Sequence, residues 1–329
     1  MKKFSIKFFK IIAGTIILLI LSLLIYTIYD KIHYQIKRTE FIEKQSKLDY
    51  KIGVLSIALG RYNVLWKEFY ESSEKYFFPG VDKQYFLFTD DLNIPYKDKP
   101  NVKVIYTKNV KWPYHALLRY DIFLSQKKEL SKLDYLYYFN MDYEFKNFVG
   151  EEVLPQKNND GLVFVTHCLY YNKPPKSFPY ERNPKSVAYI PYGKEGKYYV
   201  PGGINGGASK EFLEYCEYCS KNAHIDIDNK VVPHWHDEAY TNKYIIDKNP
   251  LMLPVNYMFA KWCHVPEFKK DLKAIIRDKQ TYGGRVYLRG HSNIKSTFFS
   301  KLKYKILIKI TKNPQKKKKY EKIYHNLFR

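Results

Sequence analysis

The densest cluster of side chains able to do chemistry is the segment His234-Trp235-His236-Asp237-Glu238, which opens a predicted helix over about 236–247. Acidic residues at a helix start complement the helix dipole, and this is the structural explanation for them. The functional alternative is a carboxylate placed beside a bound sugar on which Trp235 stacks. The two histidines lack the i and i+4 spacing of a zinc-protease helix, so that class is excluded.

A second candidate is the glycine-rich run Gly202-Gly203-Ile204-Asn205-Gly206-Gly207, which is predicted to be a loop before a helix starting near Ser209. Glycines let the backbone approach a ligand closely, and the start of a helix offers free N–H groups. The spacing is neither that of a dinucleotide-binding fingerprint nor that of a P-loop. A tight turn would explain one glycine pair, but not two.

A third candidate is Asn140-Met141-Asp142, which directly follows an apolar run. A carboxylate there could hold a divalent metal against a diphosphate, because hard cations prefer oxygen ligands. Asn and Asp also end many strands simply as turn formers.

The elements that must position these residues alternate between strands and helices. Strands are predicted at 51–59, 85–89, 102–106, 136–140 and 161–166, and helices at about 62–77 and 114–128. This alternation predicts an α/β fold with a mainly parallel central sheet. Ligands of such sheets bind at the carboxyl ends of the strands, so the polar residues after Leu59, Phe88 and Phe139 are expected at the site.

The charge of the chain lies at its two ends. Of a net +23 over 329 residues, residues 1–48 carry nine Lys/Arg against three acids, and residues 301–329 carry eleven against one. This distribution suits an anionic membrane surface better than a nucleic-acid groove. Residues 11–29 carry no charge and are long enough to span a membrane as an uncleaved anchor. The flanking charges are too balanced to fix its orientation.

The predicted organisation is therefore a basic N-terminus (1–10), a transmembrane anchor (11–29), a stem (30–48), a catalytic domain (49–290) and a basic amphipathic tail (291–329). The tail is expected to contact the membrane surface or to be a solvated, disordered segment. Cys216 and Cys219 are expected to be two thiols on one helix, since no second pair stands at zinc spacing.

From about Lys51 to Leu288, the chain resembles glycosyltransferase family 6, which contains the blood-group A and B transferases and the α1,3-galactosyltransferases. The matching blocks occur in the family's order and nearly its spacing. They are Phe88-Thr89-Asp90, Phe139-Asn140-Met141-Asp142-Tyr143-Glu144-Phe145 with Val149-Gly150, Tyr180-Glu181-Arg182, Ala188-Tyr189-Ile190-Pro191, the run 202–207, Trp235-His236-Asp237-Glu238 and Asn242-Lys243-Tyr244.

This resemblance implies a GT-A type nucleotide-sugar-binding fold. It also implies retaining transfer of N-acetylgalactosamine or galactose from UDP to a galactose-containing glycan in α1,3 linkage. Glu238 matches the catalytic carboxylate, which would stabilise an oxocarbenium-like centre or bond to it. His167 and Trp235 match acceptor-side residues. The positions that match the donor site are Ile57, Leu59, Tyr62, Arg119, Asn140, Asp142, Pro201, Gly202, Gly203, Asp237, Lys279 and Arg285.

Three positions depart from the family pattern. The family's animal members have Asp-x-Asp and its bacterial members typically have Asn-x-Asn and need no metal, so Asn140-Met141-Asp142 is intermediate. Asp142 is then the single carboxylate for Mn²⁺, and the cations Lys279 and Arg285 could steady the diphosphate instead. Gly203 is expected to leave space for an N-acetyl group, which favours N-acetylgalactosamine. Ala260 stands where an acidic acceptor contact is expected, so the acceptor stays open.

The sequence also indicates the source of the protein and the compartment that its catalytic domain faces. No Asn lies in an N-x-S/T sequon. Together with the basic tail and Asn140, this favours a bacterial protein whose catalytic domain faces the cytoplasm. A eukaryotic protein would face the Golgi lumen. The alternative function is a catalytically weak sugar-binding protein on a degenerate transferase fold, and no nucleic-acid partner is expected.

Overall fold

The computed structural model describes residues 2–45, 49–110, 112–156, 158–311 and 313–328, which form two compact units, 1–47 and 48–329. The first unit is the helix α1, Lys2–Glu43. Its stretch Lys10–Glu43 is long and apolar enough to cross a membrane. The predicted anchor at 11–29 lies inside α1, and most of the predicted stem continues the same helix; stem residues 46–48 lie outside the described residues.

The described residues of the second unit form ten strands. Seven form the central sheet in the order β3-β2-β1-β4-β7-β6-β8, in which four strand pairs are parallel and two are antiparallel. The predicted α/β class with a mainly parallel sheet is confirmed. A second sheet has the order β5-β10-β9. The strands are β1 Ile52–Ala58, β2 Lys83–Thr89, β3 Val102–Tyr106, β4 Tyr135–Phe139, β5 Tyr143–Phe145, β6 Leu162–Val165, β7 Ile204–Ala208, β8 Leu251–Leu253, β9 Phe259–Ala260 and β10 Ala274–Ile276.

Helices cover both faces of the central sheet. In β1, Ile52 and Val54 belong to one apolar cluster with Phe69, whereas Leu55 belongs to another with Tyr215. This alternation follows from the two-residue period of a strand. The helices after α1 are α2 Trp66–Tyr76, α3 Tyr114–Leu117, α4 Arg119–Leu124, α5 Lys127–Leu130, α6 Ser209–Asp228, α7 Asp237–Tyr244, α8 Arg285–Leu288, α9 Phe298–Ile310 and α10 Pro314–Phe328.

The glycine run departs from its prediction as a loop. Residues Ile204–Ala208 form β7, which pairs antiparallel with β4 and β6. A Cβ on Gly206 would lie 2.5 Å from the Tyr137 ring, and one on Gly207 would lie 2.2 Å from the Gly161 carbonyl oxygen. The second glycine pair is therefore required by close packing between strands rather than by a ligand.

Two predicted helices are divided. The segment predicted at about 62–77 starts with a 3-10 turn, Gly60–Leu65, before α2. The segment predicted at about 114–128 is α3, α4 and the start of α5, because the backbone leaves helical geometry at Leu118 and Gln126.

The carboxyl-terminal segment is helical rather than disordered. Thr297 caps α9 in a capping box with Ser300, and α9 packs against α10 through the Tyr304 and Tyr320 rings, 6.1 Å apart. We call α9 and α10 the tail helices.

The four cysteines divide into two pairs. Cys216 and Cys219 are free, buried thiols on α6, as predicted. Cys168 and Cys263 form a disulfide, which the sequence reasoning missed because 95 residues separate the two.

Candidate functional site

A cleft with a volume of about 650 Å³ opens where β1 and β4 end. This is the edge at which parallel strands present their carboxyl ends, as the sequence predicts. It brings together thirteen of the predicted site residues, which are Ile57, Leu59, Tyr62, Arg119, Asn140, Asp142, Gly202, Gly203, Trp235, Asp237, Glu238, Lys279 and Arg285. Pro201 and His167 do not line it.

One wall of the cleft is the turn after β1. Asp90, which directly follows β2, accepts a hydrogen bond from the Gly60 N–H at 2.8 Å. Gly60 has a φ of +57°, a left-handed conformation that glycine adopts without strain. The bond between neighbouring strand ends therefore fixes the turn that presents Leu59 and Tyr62 to the cleft.

Asn140 fills the space beside Gly203. Its side-chain oxygen accepts from the Tyr138 hydroxyl at 2.6 Å, and its backbone N–H donates to the Gly203 carbonyl at 2.8 Å. A Cβ on Gly203 would lie 2.1 Å from the Asn140 amide nitrogen. The expected space for an N-acetyl group is therefore occupied by Asn140, and Gly203 gives no preference for N-acetylgalactosamine.

Asp142 has a lysine as its partner. Its carboxylate is buried and accepts a hydrogen bond from the Lys279 ammonium. Among the described residues, no three side chains of His, Cys, Asp or Glu lie close enough together to hold a metal ion. One carboxylate already paired with a lysine, beside an amide engaged by Tyr138, does not fit Mn²⁺ as these residues stand.

A buried ion pair lies under the cleft. Arg119 Nη1 is 2.6 Å from Asp237 Oδ2 and donates to the Gly202 carbonyl at 2.5 Å. The guanidinium also lies 4.5 Å from the centre of the Tyr138 ring. Arg119 thereby joins the start of α7 to the backbone that precedes β7, and the charge of Asp237 is compensated within the protein.

Glu238 is held by two donors at the edge of the cleft. The Tyr199 hydroxyl donates to Oε1 at 2.5 Å, and the Gly202 N–H donates to Oε2 at 2.9 Å. Burial raises the pKa of Glu238 to about 7, although both hydrogen bonds act to lower it. Near neutral pH this carboxylate is therefore divided between its charged and neutral forms.

The residues just before α7 form an aromatic rim. Trp235 is 44% exposed and lines the cleft. His236 has a φ of +56°, which is strained for a residue with a Cβ, and its ring contacts Trp112 at 4.8 Å. Burial lowers the pKa of His236. A neutral imidazole and two indole rings therefore border the cleft and are suited to contact the faces of a sugar.

Two further arginines line the cleft. Arg61 donates to the carbonyls of Tyr287 and Ser292 at 2.9 and 2.6 Å, so it ties the chain after α8 to the turn after β1. Arg289 lies 3.6 Å from the centre of the Trp112 ring and is hydrogen-bonded to Tyr62. With Lys279 and Arg285 they give this side of the cleft a positive charge suited to a diphosphate. Arg61 stands among the polar residues after Leu59 that were expected at the site, whereas the basic character of the carboxyl end was the only signal for Arg289.

His167 approaches the site indirectly. Its ring contacts Tyr199 at 5.8 Å between centroids, and Tyr199 in turn holds Glu238. Burial lowers the pKa of His167 to about 4, so the ring is neutral at physiological pH. Tyr199 was missed because it stands in a tyrosine-rich stretch without a motif of its own.

Comparison with known proteins gives a family match. Residues 28–284 match the model described as Glycosyltransferase family 6. The O-antigen biosynthesis glycosyltransferase WbnI of Escherichia coli is 32% identical over 231 residues, which are 70% of this chain and 95% of that protein. The histo-blood group ABO system transferase 1 of Rattus norvegicus is 31% identical over 250 residues, 73% and 70% of the two chains. The globoside alpha-1,3-N-acetylgalactosaminyltransferase 1 of Gallus gallus is 30% identical over 213 residues, but only 60% of that protein is covered.

Proposed function

The chain belongs to glycosyltransferase family 6, and from this premise we propose that it is a retaining transferase with a GT-A type fold. It moves N-acetylgalactosamine or galactose from UDP to a galactose-containing glycan in α1,3 linkage. The observation that carries the proposal is the Glu238 carboxylate, which faces the cleft between two donors beside the exposed Trp235. The names of the relatives support transfer to a glycan, and one of them supports N-acetylgalactosamine and α1,3 linkage.

The reaction needs negative charge where the sugar becomes positive. When the C1–O bond of the donor breaks, its electron pair leaves with UDP and C1 takes on oxocarbenium character. Ionised Glu238 stabilises this centre or bonds to it transiently, and either course returns the sugar with its original configuration. The acceptor hydroxyl then forms the new bond to C1 and gives up its proton to a phosphate oxygen of UDP. Asp237, already paired with Arg119, is left to accept hydrogen bonds from donor hydroxyls.

The leaving diphosphate is steadied by side-chain cations in this proposal. Lys279 and Arg285 line the cleft with Arg61 and Arg289, and Asp142 is engaged by Lys279. With the charge of Asp142 set against Lys279, a net of three positive charges remains to offset the charge of the diphosphate. The proposed transfer therefore needs no divalent metal, and no step depends on one.

The test uses the full chain in detergent, with UDP-N-acetylgalactosamine or UDP-galactose, a lactose acceptor and release of UDP as the measurement. Glu238→Gln keeps the shape and removes the charge, so we expect a loss of about a hundredfold or more. Glu214→Gln, on the exposed face of α6, is the matched control and should keep parental activity. Full activity in Glu238→Gln would refute the assigned role.

Two further arms separate the alternatives. We expect activity to survive EDTA, and a complete loss that is restored by Mn²⁺ would refute the proposed role of the cations. A catalytically weak sugar-binding protein would bind the sugar tightly and release UDP only slowly in every arm. That outcome would replace the transferase proposal.

The location follows from α1 and the donor. The apolar helix α1 anchors the chain in a membrane as a single span. UDP-sugars are made in the bacterial cytoplasm, so a catalytic domain facing that side would have its donor at hand. The basic tail would then lie on the side of the anionic cytoplasmic leaflet.

A further inference from the structure

The tail helix α9 carries an exposed apolar stripe. Phe298 and Phe299 are 74% and 78% exposed, and Leu302, Ile306 and Ile310 are exposed as well. With about 100° of rotation per residue, these five side chains fall within an arc of roughly 120° on one side of the helix. The stripe is separate from the buried side of α9, where Tyr304 packs against α10.

Lysines border this stripe on both sides, and Lys309 lies within its arc near the end of α9. Lys301, Lys303, Lys305 and Lys309 are all exposed on α9, and the helix contains no acidic residue. Exposed lysines continue on α10 at 316–319, where Glu321 is the single acid. Apolar side chains bordered by cations match the boundary of an anionic bilayer, in which acyl chains lie below negative headgroups.

We propose that the stripe on α9 is a docking surface for an anionic lipid bilayer. Phe298, Phe299, Leu302, Ile306 and Ile310 enter the boundary between headgroups and acyl chains, and the lysines contact lipid phosphates. A second copy of the chain is the less suitable occupant, since it would bring the same lysines against one another. The helix thereby adds a second membrane contact to the anchor α1.

The test places a nitroxide label on Leu302→Cys in the full chain. All four native cysteines are buried in the folded chain, so the label attaches to the introduced cysteine whether or not Cys168 and Cys263 are oxidised. Leu92→Cys is the matched control, because Leu92 is also an exposed leucine and lies in the loop after β2. The protein is reconstituted as one copy per nanodisc of phosphatidylcholine, with or without roughly one third phosphatidylglycerol as the anionic lipid.

In the anionic discs, we expect the label at Leu302 to collide more with oxygen and less with a water-soluble nickel chelate than the label at Leu92. The contrast should shrink in neutral discs. Each lysine near an anionic surface favours the docked state by about fivefold, so replacing all four by glutamine should lower the docked ratio at least about a hundredfold. The matched variant replaces four exposed lysines outside the tail helices, Lys176, Lys185, Lys210 and Lys221. It should keep the contrast between the two labels.

Three outcomes would overturn the proposal. The first is equal accessibility of the two labels in anionic discs, and the second is equal contrast in the two lysine variants. The third is protection that requires two copies per disc, which would assign the stripe to a second copy of the chain. An unchanged thermal unfolding midpoint in detergent shows that each variant is folded. None of the replaced lysines lines the cleft.

Discussion

Tyr199→Phe removes a single hydroxyl and tests how Glu238 is tuned. That hydroxyl donates to Glu238 Oε1 at 2.5 Å and favours the ionised carboxylate. Burial and the neighbouring carboxylate raise the pKa of Tyr199, so its phenol stays a donor throughout the working range. The variant keeps the buried ring but leaves the Gly202 N–H as the remaining donor to this carboxylate.

The size of the effect follows from the strength of a hydrogen bond to a charged group, about 1.5–3 kcal/mol. Since one pKa unit corresponds to about 1.4 kcal/mol, the pKa of Glu238 should rise by about one to two units from its value of about 7. At pH 7 the ionised fraction would fall from about half to between roughly 1 and 10%. Activity should fall in proportion at this pH and recover towards alkaline pH.

The assay is kcat/KM for UDP release between pH 5.5 and 9.5. The parental enzyme should gain activity as the pH rises through about 7, because the ionised form is the active one. In Tyr199→Phe the same rising limb of the pH–activity profile should lie about one to two pH units higher. The matched control is Tyr180→Phe, whose hydroxyl donates to the Tyr198 carbonyl and whose ring lies 5.6 Å from Tyr199.

A merely structural role of Tyr199 would lower activity equally at every pH and leave the limb in place. That result would refute the reasoning, as would an equal displacement of the limb in Tyr180→Phe.

The other predictions concern packing, stability and location. Gly203→Ala should abolish most activity because its Cβ would lie 2.1 Å from the Asn140 amide, and the second change Asn140→Gly should restore part of it in the UDP-release assay. The pKa of Glu238 is about 7 in the folded chain against 4.5 when free, so folding stability should fall by up to about 3 kcal/mol as the pH rises from 4.5 to 7. Contact of Glu238 with solvent in the cleft would reduce this figure. Glu238→Gln should therefore melt at a higher temperature than the parent at pH 8 but not at pH 4.5. Disulfides form in oxidising compartments, so a catalytic domain that faces the cytoplasm should carry Cys168 and Cys263 as reduced thiols. Alkylation after the cells are quenched in acid measures this. A pair that resists alkylation because it is oxidised would place the domain on the opposite side of the membrane.

The first four strands of the sheet could be predicted from the sequence to within about two residues, because apolar β-forming runs end at polar residues there. The site at their carboxyl ends followed from the same pattern. Strand β7 could not be predicted, since Gly206 and Gly207 have low strand propensity and their reason lies in Tyr137 and Gly161, which are distant in sequence. Tertiary contacts override local preference at such positions.

The cleft residues were found where they stand in compact motifs and missed where a distant partner gives them their role. Trp235, Asp237 and Glu238 lie together in the sequence, whereas Tyr199 is 39 residues from the carboxylate that it holds. Arg289 likewise lies over the ring of Trp112, which belongs to a distant part of the chain. Composition alone could indicate only that the carboxyl end is basic.

The pair of Asp142 and Lys279 connects the unusual Asn140 to the chemistry of the leaving group. A lysine ammonium on a flexible stem would lose considerable freedom on binding a diphosphate. Because the buried Asp142 already holds this ammonium at the cleft, that ordering takes place before the donor arrives. An acid at position 140 would add a second negative charge close to Asp142, and such a pair would call for a divalent cation rather than a monovalent one. Asn140 and Lys279 are therefore consistent with each other: with one carboxylate fewer, one ammonium suffices, and the remaining positive charge of the cleft is available to the proposed donor, a UDP-sugar.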